Sequence, residues 1–272
     1  MDLYNLVISA KLQKGGGGGG GNEDALIERT ISVISNSTAS KVASFFFYQG
    51  GNTLKEVNLP NVSEVGSYAF ANCVSLASIS FPNATVLGSF AFQYCSSLTA
   101  VDFPKVTFIS NCAFCYCSSL TTVNFPEATT ISVAAFSSCR ALTTVSFPKA
   151  TVISNAAFQN CVSLTTANFP EVTLVGSSAF LSCTALTTAS FMKVSSINAS
   201  AFYGCSKLMS FYLLASSVAS LVNKTAFGTT PMSASTYTGS FGSIYVPASL
   251  VDSYKSANFW STYADRITAY TE

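Results

Sequence analysis

One pattern recurs every 22 residues through the middle of the 272-residue chain, and it constrains the fold more than any other feature. Phe70, Phe92, Phe114, Phe136, Phe158, Phe180 and Phe202 each follow an alanine, and each precedes a cysteine by three positions: Cys73, Cys95, Cys117, Cys139, Cys161, Cys183 and Cys205. Three residues further on stands Leu76, then Leu98, Leu120, Leu142, Leu164, Leu186 and Leu208. Five beyond that comes Phe81, repeated as Phe103, Phe125, Phe147, Phe169 and Phe191, with proline next except where Met192 breaks the series. A fixed period of this length is the mark of a solenoid, because one short coil cannot bury its own apolar face and must stack on copies of itself.

Within a unit, Thr122, Val123, Asn124 and Phe125 alternate polar and apolar, the period of a strand with one buried face. Pro126 has no N–H for a ladder and ends that strand. Ile131 and its equivalents mark a second buried point, and Ala135-Phe136-x-x-Cys139 suits a short helical or tight turn that drops a ring inward. Stacking then places equivalent side chains in rows about 4.8 Å apart.

The pattern L-x-x-V-x-F-P…I…A-F-x-x-C resembles the leucine-rich repeat in its BspA-like form, over roughly Leu54 to Leu208. The resemblance implies a β-rich repeat solenoid, a right-handed coil of stacked parallel strands with short helical turns. It also implies adhesion or host interaction at a bacterial surface. The expected organisation is a leader and glycine linker over 1–21, a degenerate N-terminal cap over 22–53, repeats over 54–211, and a degenerate repeat with a small helical C-terminal cap over 212–272. At the first rung, Phe47, Tyr48 and Gly51 stand where Ala, Phe and Cys are expected; after Leu208 the register slips, so that Ala226-Phe227 arrives three residues late. Leu250, Val251 and Tyr254, then Trp260, Tyr263 and Ile267, follow helical spacing and predict two short amphipathic helices that close the stack.

Composition narrows the function. The 13 Lys+Arg against 12 Asp+Glu make only 9% of the chain, so no long-range field draws it to nucleic acid. The absence of histidine removes Ser-His-Asp and Cys-His catalysis and His-containing zinc sites. No apolar stretch reaches the roughly 18 residues of a membrane span. Asp102, Glu127 and Glu171 are too few and too separated for paired-carboxylate hydrolysis, and an enzyme is not expected.

The register cysteines read as small buried fillers; Cys112-x-x-Cys115-x-Cys117 is denser, but no second Cys-x-x-Cys accompanies it, and neither metal nor cofactor is expected. Lys105, Glu127, Lys149, Glu171 and Lys193 alternate in sign from rung to rung, which specifies register. The outward strand positions form the candidate recognition face: Thr122, Thr144, Thr166 and Thr188 in one row, Asn124, Ser146, Asn168 and Ser190 beside it. The expected ligand is a protein or glycan, although within the repeats these rows carry no Tyr, Trp or Arg anchor.

The first 14 residues lack the basic start and cleavage site of a secretion signal, and the seven glycines from Gly15 to Gly21 would span on the order of 15 Å as a flexible linker. Leu3, Leu6, Val7, Ile8 and Leu12 in residues 1–14 suit docking to a larger assembly, with a disordered tail or a first strand folded back onto the solenoid cap as the alternatives. That leader resembles those of phage and prophage virion proteins, which makes a virion-associated structural or receptor-binding protein the alternative. The chain is expected at a cell surface or on a virion exterior.

Overall fold

The computed structural model describes residues 33–35, 38–48, 53–233 and 241–271. The leader and glycine tract lie outside the described residues.

Two stacks of parallel strands run the length of the molecule. The longer strands are Val33–Ser35, Glu56–Asn58, Ser78–Ser80, Ala100–Asp102, Thr122–Asn124, Thr144–Ser146, Thr166–Phe169, Thr188–Phe191 and Ser210–Leu213. Ser243–Val246 and Ile267–Ala269 prolong this ladder into the C-terminal region, each parallel to the one before. The shorter ladder has two residues per rung, such as Phe108–Ile109, Thr130–Ile131 and Val152–Ile153, again all parallel. Pairing in both ladders is offset by the 22-residue repeat: Thr144 opposes Thr166 and Ile131 opposes Ile153.

The core between the ladders consists of aligned identical side chains. The rings of Phe92, Phe114, Phe136 and Phe158 stack with centroids 5.3, 5.5 and 5.6 Å apart and planes within 6°. A second row, Phe103, Phe125, Phe147 and Phe169, packs at 5.4, 6.1 and 6.2 Å and meets the first row tilted or edge-on. All these rings are fully buried. The offset and tilted arrangements are those the ring quadrupole favours.

The Ala-Phe-x-x-Cys segment is a chain of tight turns and not a helix. In one rung the N–H groups of Ala91, Gln93 and Cys95 donate three residues back, to Gly88, Phe90 and Phe92. Those of Phe90, Phe92 and Tyr94 donate instead to Asn111, Ala113 and Cys115 of the next rung. Alternate amides thus close turns and join rungs, so the bend continues the ladder. This requires left-handed backbone at two points per rung, for example Phe90 (φ 62°) and Tyr94 (φ 59°), then Ala134 (φ 54°) and Ser138 (φ 62°). Left-handed backbone costs a residue with a Cβ about 1–2 kcal/mol; the inter-rung hydrogen bonds offset it.

The first rung departs from the expected register. Phe47, and not Tyr48, fills the ring slot, 6.4 Å from Phe70. Lys41 and Val42 pair with Glu64 and Val65, an offset one residue longer than the repeat. The extra residue lets the wholly apolar ring take the buried place, while Tyr48, with its hydroxyl, stays exposed.

At the other end, Phe227 stacks on Phe202 at 5.5 Å despite its three-residue delay. Of the two expected helices, Val251–Ser256 is α-helical, Trp260–Arg266 is a 3-10 helix, and Ile267 belongs to the last ladder strand. The closing function is visible in hydrogen bonds. Tyr254 Oη accepts from the Ala219 N–H at 3.0 Å, Trp260 Nε1 donates to the Ala219 carbonyl at 2.7 Å, and the Tyr263 hydroxyl donates to the Lys224 carbonyl. Backbone groups that have no further rung to pair with are satisfied by cap side chains.

Candidate functional site

The charged row pairs as its alternation predicts: Lys149 lies 2.7 Å from Glu127 and Lys193 2.7 Å from Glu171, while Lys105 donates to Asn83 instead. All are well exposed. Glu127→Gln should therefore cost under about 1 kcal/mol in a denaturant titration; a larger loss would mean that this pair does more than set register.

The seven register cysteines are buried fillers with a second role. Each thiol reaches the carbonyl of the ring residue one rung back, as Cys117 to Phe92 and Cys139 to Phe114, both at 3.1 Å. Valine would fill the space but leave that carbonyl one donor short. Burial pushes the Cys95, Cys139 and Cys183 thiols well up from 9.0, with the thiols of neighbouring rungs adding to the rise, and Cys161 up to about 12. The folded chain keeps protons that the unfolded chain releases, so this stability is complete below pH 9.0 and is lost as pH rises from there through about 12 at Cys161. Thermal stability should fall above pH 9, by at most about 1.4 kcal/mol per pH unit for each thiol. A Cys161→Val chain should show a shallower decline, and equal slopes would contradict this role. Among the described residues no group of three or more His, Cys, Asp or Glu is placed to hold a metal ion.

The candidate face is the outer side of the long-strand ladder. Thr122, Asn124, Thr144, Ser146, Thr166 and Asn168 are exposed there, with Thr188 and Ser190 half-buried. The threonine column just before them is committed to the ladder: Thr121, Thr165 and Thr187 donate to the carbonyls of Thr99, Thr143 and Thr165 at 3.0, 3.1 and 3.1 Å. On the face itself, Asn124 is tied to Asp102 at 2.8 Å. No side-chain hydrogen bond involves Thr144, Thr166, Thr188 or Asn168 among the described residues, so their polar atoms are open to a ligand.

Beyond Ser190 the same row turns aromatic. Ser190 opposes Tyr212, and Tyr212 opposes Tyr245. Their rings stack at 4.7 Å, and Tyr270 meets Tyr212 edge-on at 5.9 Å. Together with Thr166, Ala167, Asn168, Thr188, Ser190, Met192 and Leu214, Tyr212 and Tyr270 line an open groove of about 450 Å³ that has no charged side chain. Four of the eight expected face residues meet in this groove; Thr144 and Ser146 lie on the same sheet outside it, and Thr122 and Asn124 on the two-stranded sheet of the preceding rungs. Tyr212 was findable in the sequence, since it stands one repeat beyond Ser190. Tyr245 was not, because 33 residues separate it from Tyr212.

A two-ladder solenoid of 22-residue coils is the architecture of leucine-rich repeat proteins. The chain belongs to the BspA-type leucine-rich repeat family, whose model matches residues 40–151 and 129–248 in six copies. Solved structures similar to it include a leucine-rich cell surface protein from Faecalibacterium prausnitzii (21% identity, 89% of each chain covered, TM-score 0.34). The pneumococcal vaccine antigen PcpA covers 89% of this chain and 78% of its own, at 13% identity and TM-score 0.53, a likeness of fold. An internalin from Listeria monocytogenes covers 90% and 61%, at 13% identity and TM-score 0.43. No curated protein matches the chain. Among the described residues no helix is long and apolar enough to cross a membrane.

Proposed function

We propose that the chain is a non-enzymatic recognition module that holds a protein or glycan ligand at a bacterial surface, against the outer face of its long-strand ladder. One observation carries the reading: in register with rows of uncommitted hydroxyls and the uncommitted Asn168 amide stands a stacked tyrosine pair beside a neutral groove. Polar groups that fix orientation beside an aromatic anchor are the usual composition of a recognition site. The family is built of rigid repeat scaffolds, and repeat scaffolds commonly bind through such faces. Attachment to a virion through residues 1–14 concerns residues outside those described, and no feature of the fold favours it.

The test is a glycan and protein array probed with the full chain, followed by the variants Tyr212→Ala and Asn168→Arg. Each variant should weaken the captured ligand at least about tenfold, as loss of an anchor does, with the fold retained; Tyr212→Ala, which also loses its stacking on Tyr245, should melt slightly lower. Binding that survives both variants would place recognition elsewhere on the molecule.

A further inference from the structure

Two cysteines stand outside the register row, and both fall in one rung. Cys112 takes the position of Phe90 and Ala134; Cys115 takes that of Gln93 and Ser137. The Cys115 N–H donates to the Cys112 carbonyl at 3.2 Å, closing a β-turn with Cys112 at φ 50°. Such a turn holds its first and last Cα atoms within about 7 Å, and disulfides need about 4.4–6.8 Å. The two thiols influence each other across the turn: Cys115 favours the Cys112 anion, and Cys112 and burial disfavour that of Cys115. Cys112 is half-exposed and Cys115 buried. Tyr94 and Tyr116, stacked at 4.5 Å, flank the pair. The register thiols of the adjoining rungs are engaged with Phe carbonyls and fully buried.

We propose that Cys112 and Cys115 form a thiol–disulfide exchange site, which reacts with low-molecular-weight disulfides and closes to an intra-turn disulfide while the register cysteines stay reduced. Cys112 is the attacking sulfur: it is the accessible one, and the Cys115 thiol stabilises its anion and lowers its pKa. Its thiolate attacks one sulfur of the disulfide R–S–S–R; a Cys112–S–S–R bond forms and R–S⁻ departs, taking a proton from water. The Cys115 thiol then gives up its proton, its sulfur attacks Cys112 sulfur, and a second R–S⁻ leaves and is protonated. Two thiols on the turn are oxidised, and one external disulfide is reduced to two thiols.

Glutathione disulfide added to the full chain at neutral pH is the probe, with the peptide between Lys105 and Arg140 read by mass spectrometry after alkylation. The unmodified chain should lose two hydrogens, with Cys117 and Cys139 still alkylated. Cys115→Ser should retain one glutathione on Cys112, and Cys112→Ala should not react. Both variants copy what the next rung holds, Ala134 and Ser137, so an unchanged melting temperature is expected and confirms folding. A glutathione adduct that persists on the unmodified chain, a bridge to Cys117, or equal reactivity in Cys112→Ala would overturn the assignment.

Discussion

Replacing Phe136 with alanine should destabilise the solenoid by about 3–5 kcal/mol, the range for emptying a buried aromatic site. Its ring lies between Phe114 and Phe158, 5.5 and 5.6 Å away, and also touches Phe125 and Phe147 of the second row. The neighbours cannot move in to fill the void, because Phe114 and Phe158 are each anchored through their N–H to the following rung, at Ala135 and Ala179, at 2.9 and 2.8 Å. The loss therefore includes burial, ring contacts and a cavity that stays open. A denaturant titration reads it as a fall in the midpoint, and an unchanged midpoint would contradict the stacked row.

Trp260→Ala should cost a similar amount by a different route. Trp260 is fully buried against Phe227 and Tyr254, at 6.0 and 5.3 Å, and its Nε1 is the cap's donor to Ala219. Removing it opens a cavity and leaves a ladder carbonyl unpaired at the last rung, a site where other chains can add. The expected result is a loss of about 3–5 kcal/mol together with concentration-dependent association, measured by melting and light scattering. A monomeric variant of normal stability would show that the end of the stack is closed by something other than the cap.

The solenoid, its register and its two ring rows were legible because a strict period repeats one environment: every Phe of a row has to fit the same slot. The charge alternation was legible for the same reason. Periodicity says less where the chain departs from it. The first rung absorbed one extra residue so that Phe47 could take the buried place from Tyr48. The 3-10 helix Trp260–Arg266 has an apolar face that also satisfies α-helical spacing, so the pattern did not distinguish the two. The turn conformation was hidden because residues such as Phe90, Tyr94 and Ala134 have no intrinsic preference for left-handed backbone; the hydrogen bonds between rungs hold them there. In the candidate site, the hydroxyl and amide rows followed from strand alternation. The tyrosine pair beside them is formed by a strand that returns to the ladder after an insertion.

The central claim is that equivalent side chains of successive rungs touch, and a double-mutant cycle tests it most directly. Phe114→Leu and Phe136→Leu, combined, should show a coupling of about 0.5–1.5 kcal/mol, as stacked rings do. Phe70→Leu and Phe202→Leu, six rungs apart, should add within about 0.5 kcal/mol. Additivity at Phe114 and Phe136, with both single variants destabilised, would mean that the rings do not meet.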